Sequence, residues 1–205
     1  MKPNFITRNL AAILGLMAAS VPLIAKTPAT NTRLTVRVYD YVNLSNKTES
    51  ELAENARRIL AQAGIAVELA LCFTGGLDTG EPGCIGPLGP ADLILRIVQR
   101  KFAVRGEQLG YASMSEDGGA YITVLVNPAE RKARVGALSD GSYLGHAVAH
   151  EIGHLLLGTN EHSSTGIMRP VWRVCDEEWM SRGLLFFDAR QASRMRERLI
   201  ARIIP

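Results

Sequence analysis

The segment from His146 to Met168 constrains this 205-residue chain more than any other. It begins His-Ala-Val-Ala-His-Glu-Ile-Gly-His and continues through Gly158 and His162 to Met168. His150 and His154 are four residues apart, so on a helix they share one face, one turn from each other. Two imidazoles placed this way can bind one divalent ion. Glu151, next to the first, can reach a water on that ion and take its proton. The chain therefore has to fold so that a long apolar helix, running from about Tyr143 to Leu157 and stopped by Gly158, opens its histidine face onto a cleft.

The other candidates follow from what such an ion needs. A catalytic zinc takes three protein ligands and keeps one position for water. His162 is the candidate third ligand, with Gly158 letting the chain turn sharply enough to bring it back. His146 lies in helical register one turn before His150. A fourth imidazole would close the open position, so His146 reads as a core or supporting residue. Methionine is a poor zinc ligand, so Met168 is expected to pack beneath the site. Tyr121 and Tyr143 are candidate donors to a developing oxyanion. Two other readings stay open. An acidic third ligand could come from Glu177 or Glu178. Alternatively, the protein could be a non-catalytic zinc-stabilised binding module, which would have no need of Glu151.

The rest of the chain supplies a scaffold. Leu34–Tyr39 alternates apolar and polar residues and reads as a strand. Thr48-x-x-Glu51 has the pattern of a capping box and opens a helix with Leu52, Ala56, Ile59, Leu60 and Ala63 on one side, ended by Gly64. Strands are expected at Ile65–Leu71, Leu93–Val98, Leu109–Ser113 and Ala120–Val126, with a Gly- and Pro-rich loop over 74–90 and turn residues over 115–119. Residues 159–187 read as mostly irregular. A final helix over Asp188–Arg202 places Ala192, Met195, Leu199 and Ile203 on one face. Its five arginines make it basic, which reads as a solvated face. A strand–helix–strand opening predicts a partly parallel sheet backed by helices, an α+β fold whose N-terminal part is α/β-like.

A hydrophobic content of 47% with 21% charged residues fits one globular domain, here 33–204. Lys2 and Arg8 followed by the apolar stretch Leu10–Ala25 read as a signal segment over 1–25, cleaved or kept as an anchor. At 16 residues that stretch is short of the ~20 that a membrane span needs. Removing Lys2 and Arg8 from the formal +3 leaves about +1, so no nucleic-acid partner is expected, nor a membrane role beyond the signal. Export to the periplasm or the exterior permits a disulfide. Cys72 and Cys84 flank the Gly-rich loop and are the expected pair, leaving Cys175 free; another pairing among the three stays open.

In its site residues the chain resembles the metzincin superfamily of zinc endopeptidases, most of all the matrixin-like branch. That pattern is HExxHxxGxxH followed by a methionine turn. His150, Glu151 and His154 match directly; Gly158, His162 and Met168 match in kind and order, and His162-Ser163-Ser164 is also matrixin-like. The spacing is longer here, HExxHxxxGxxxH. The resemblance implies a zincin fold: a twisted mixed sheet with an antiparallel edge strand, a backing helix, an active-site helix and a C-terminal helix. By analogy Ala120–Val126 would be that edge strand, pairing with an extended substrate. The resemblance further implies a Zn2+ cofactor on His150, His154 and His162, Glu151 as general base, Met168 in the methionine turn, and a protein or peptide substrate. With no cysteine between signal and first strand, latency by a cysteine-bearing propeptide is not expected.

Overall fold

The computed structural model describes residues 33–100, 109–114, 120–127 and 138–204. The segment read as a signal, 1–25, and the turn over 115–119 lie outside the described residues. Among those described, no helix is long and apolar enough to cross a membrane.

Six strands form one mixed sheet. In chain order they are β1 (Arg33–Asp40), β2 (Ala66–Thr74), β3 (Leu77–Asp78), β4 (Asp92–Gln99), β5 (Gly110–Met114) and β6 (Ala120–Val126). Across the sheet the order is β3-β2-β1-β4-β6-β5. The inner four strands are parallel, and the two edges, β3 and β5, run antiparallel to their neighbours. This is the α+β arrangement read from the sequence. One assignment changes. Ala120–Val126 is not the edge strand: it pairs in parallel with β4 and is covered on its other side by β5. Its mostly apolar run, with Ile122 and Val124 fully buried and Thr123 buried between them, suits a strand enclosed by two neighbours.

Helix α1 (Asn46–Gln62) makes the parallel crossover from β1 to β2. It starts earlier than its sequence pattern suggests. Ser45 is the N-cap and accepts the Thr48 backbone N–H, so Thr48 lies within the first turn and is not the cap. Helix α2 (Asp140–Leu157) packs across α1 at very short range. A Cβ on Gly141 would lie 2.5 Å from Glu51 Cβ, and one on Gly145 2.7 Å from the Leu52 carbonyl. These glycines, four apart on one face, let the two backbones approach. Leu144, Val148 and Ile152 join Leu34, Val36, Leu95 and Ile122 in the core.

Residues 159–187 contain one helix that the sequence pattern did not show, α3 (Val174–Ser181). It is two turns long and buries only Asp176 and Met180, while Trp179 stays exposed, so it leaves no apolar periodicity to read. Helix α4 (Ala189–Ile203) buries Ala192, Met195 and Leu199. Its arginines are not simply solvated. Arg196 donates to Ala63 O at the end of α1, and the Arg198 guanidinium lies against Gly158 at the end of α2. Cations at helix C-termini face the negative end of the macrodipole. Cys72 and Cys84 form a disulfide, and Cys175 is free.

Candidate metal centre

Helix α2 carries the site. Ser139 caps its first turn, and Gly158 ends it in the left-handed region at φ 64°, with its N–H returned to His154 O. The chain then folds back. Thr159 O accepts from His154 Nδ1, Glu161 N–H bonds Thr159 Oγ1, and Ser163 N–H bonds Met168 O. This turn absorbs the two extra residues of the lengthened motif and swings His162 over the helix.

His150, His154 and His162 converge, with one ligating atom from each lying within 4.8 Å of the others. Among the described residues this is the one group of three or more metal-competent side chains, and it includes neither Glu177 nor Glu178. His150 and His154 are buried, whereas His162 is exposed at the mouth.

The hydrogen bonds define which nitrogens are available. His150 Nδ1 faces the Ile167 carbonyl at 2.8 Å, and His154 Nδ1 faces the Thr159 carbonyl at 2.9 Å. A carbonyl only accepts, so both Nδ1 atoms carry hydrogen and both Nε2 atoms keep lone pairs. Those two Nε2 atoms stand 3.0 Å apart. Lone pair against lone pair at that range is repulsive unless a cation lies between them. A proton is a poor solution, because burial holds the His150 pKa down to about 4, with His154 and His162 adding to the effect; burial lowers His154 as well. A metal ion fits. Nitrogens on one tetrahedral zinc stand roughly 3.3 Å apart, and a ligating histidine gives its other N–H to a carbonyl.

Glu151 lines the same cleft, a cavity of about 490 Å³ bordered also by His150, His154 and His162, by Leu109–Ala112, and by Pro170 and Val171. The carboxyl is buried, and among the described residues it has no hydrogen bond or ion pair. Burial raises its pKa to about 8. Its oxygens lie against β5: a Cβ on Gly110 would be 3.1 Å from Glu151 Oε1 and 2.2 Å from the Thr123 carbonyl. Gly110 thus makes room for the carboxyl beneath the edge strand.

Met168 lies under the helix, fully buried, its Sδ filling the space beside Gly153 together with Phe187. His146 is also fully buried and donates from Nδ1 to Ser142 O; its Nε2 has no partner, and burial lowers its pKa to about 4. It takes no part in the three-histidine group. Neither Tyr121 nor Tyr143 lines the cleft, whereas Tyr111 of β5 does. Trp172, Gly110 and Tyr111 carry no motif signal, and only the packing reveals them.

No family model matches the sequence, and no curated protein matches it. Among solved structures the fold is similar to that of a zinc-dependent peptidase from Methanocorpusculum labreanum, with a TM-score of 0.50 and 13% sequence identity over 78% of this chain and 99% of that one. At that identity the likeness speaks to the fold alone.

Proposed function

We propose that this protein is an exported zinc-dependent endopeptidase of the matrixin-like metzincin kind. The observation that carries the reading is the convergence of three imidazoles, two with Nε2 lone pairs face to face, beside a buried carboxyl that has no partner among the described residues. The neighbouring fold belonging to a zinc-dependent peptidase supports it. His150, His154 and His162 would hold the ion. When bound, zinc supplies Lewis-acid chemistry, drawing charge from a scissile carbonyl and making a water more acidic.

The remaining work falls to the chain. Glu151 takes the proton of the attacking water and returns it to the departing amine nitrogen. Burial beneath Gly110 and β5 raises the carboxyl's proton affinity in the metal-free chain; a bound dication beside it would favour the ionised form, which is the one that accepts a proton. The substrate lies extended along the outer edge of β5, which among the described strands pairs with β6 alone and borders the cleft at Gly110–Ala112, and it adds there as a further strand. Met168 supports α2 from beneath.

A non-catalytic zinc module would leave the unpaired Glu151 carboxyl as an uncompensated burden, and an acidic ligand at Glu177 or Glu178 would have to come from outside the cluster. The test is hydrolysis of a mixed peptide library by zinc-loaded wild type beside Glu151→Ala. Cleavage by wild type alone, at equal zinc content, supports the reading. No cleavage by either overturns it.

A further inference from the structure

The Ile167 carbonyl is the shared acceptor of two side chains. It takes the Nδ1–H of His150 at 2.8 Å and the Nε1–H of Trp172 at 3.0 Å. A carbonyl oxygen has two lone pairs, so both are used. The same residue is also tied through its amide, where Ile167 N–H bonds the Phe186 carbonyl at 3.1 Å. The indole stands nearly perpendicular to the His150 ring at 5.8 Å between centroids, to the His146 ring at 6.4 Å and to the Tyr143 ring at 5.3 Å. Trp172 is only 9% exposed, while Trp179, seven residues on, is 55% exposed. An indole with its ring walled by three other rings and its N–H committed to one carbonyl has no free rotation left.

We propose that Trp172 is a positioning residue for the metal centre. Its indole N–H and ring fix the Ile167 carbonyl in place, and that carbonyl locks His150 in the Nδ1–H tautomer with its Nε2 lone pair aimed into the cleft. Trp172 itself touches neither ion nor substrate. Without the indole N–H, the Ile167 carbonyl loses one of its two donors and can swing or admit water. His150 then samples the Nε2–H tautomer, which has no lone pair to offer a cation on that side. Losing such an outer hydrogen-bond partner typically weakens metal affinity on the order of 10- to 100-fold. The consequence for zinc rests on the endopeptidase reading; the tautomer does not, since it exists in the metal-free protein.

The experiment pairs long-range proton–nitrogen NMR of the imidazoles in metal-free wild type and Trp172→Phe with zinc affinity by chelator competition. Expected are a single Nδ1–H tautomer for His150 in wild type, a tautomer mixture in Trp172→Phe, and zinc binding about 10-fold or more weaker in the variant. A wild-type His150 in the Nε2–H form, or a variant with wild-type tautomer and affinity, overturns the proposal. Should Trp172→Phe fail to fold, the wild-type spectrum still decides: the Trp172 indole N–H must exchange far more slowly than that of Trp179, and equal exchange overturns the proposal. A tautomer locked in wild type and released in the variant, with no zinc uptake by either, sustains the role of Trp172 at His150 and overturns the zinc reading instead.

Discussion

Glu151→Gln should make the metal-free protein more stable while it abolishes activity, and the gain should depend on pH. In the folded chain the carboxyl holds its proton up to about pH 8; its ordinary value is 4.5. Between those values the folded state carries the extra proton. Stability from this group is therefore complete below pH 4.5 and drains away as pH rises through 8. From pH 5 to 8.5 the loss integrates to about 4 kcal/mol at most. Glutamine keeps the shape and has nothing to ionise. Other titrating groups act alike in both proteins and cancel in the difference. Thermal melts of metal-free wild type and variant should nearly coincide at pH 5 and separate at pH 8.5. With roughly 2–4 °C per kcal/mol for a domain of this size, the variant should melt on the order of 10 °C higher. Peptide hydrolysis by the zinc-loaded variant should fall by about 10²–10⁴. A variant less stable than wild type at pH 8.5, or a gap equal at both pH values, is the refuting outcome. Either result would mean the carboxylate is compensated in the fold.

Further outcomes follow from other residues. His146 works in the opposite pH direction: its folded pKa of about 4 lies below the ordinary 6.5, so its contribution is complete above pH 6.5 and lost as pH falls through 4. Acid unfolding followed by circular dichroism should be shallower in His146→Gln, by about 3 kcal/mol at most across that window. Gly110→Ala places a methyl 2.2 Å from the Thr123 carbonyl and 3.1 Å from Glu151 Oε1, so it should displace β5, lower denaturant stability by about 1–3 kcal/mol and cut peptide hydrolysis. Reducing the Cys72–Cys84 disulfide, which spans 12 residues, should cost about 2–3 kcal/mol in a urea titration but leave zinc content unchanged, because β1, β4 and β6 stand between β2 and β5 in the sheet.

The site was legible where spacing alone dictates geometry. His150 and His154 must share a face on any helix, and Gly158 must end that helix, because its φ of 64° disfavours a side chain. The Cys72–Cys84 pair was legible because a short Gly- and Pro-rich loop brings its two ends together. The strands and α4 were legible from period, through the buried stripe Ala192, Met195 and Leu199. What stayed hidden depends on neighbours distant in sequence. No local pattern says that β5, and not β6, ends the sheet, since both are short apolar runs and strand order is a long-range outcome. Ser45 outcompetes the Thr48-x-x-Glu51 pattern because Leu44 is drawn into the core beside it, its N–H held by Asp40 at 2.6 Å. Helix α3 buries one carboxylate, Asp176, held by Arg169 at 2.8 Å, instead of an apolar stripe. Trp172 acquires its place only from the fold of the loop that carries Ile167.

The central claim is a zinc centre of three imidazoles. X-ray absorption at the zinc edge tests it most directly, on zinc-loaded wild type and on His162→Ala. One zinc per chain is expected in wild type, with three imidazole nitrogens and one further light atom, falling to two imidazoles in the variant. A wild-type protein that folds without taking up zinc, or a zinc environment unchanged by His162→Ala, would contradict it.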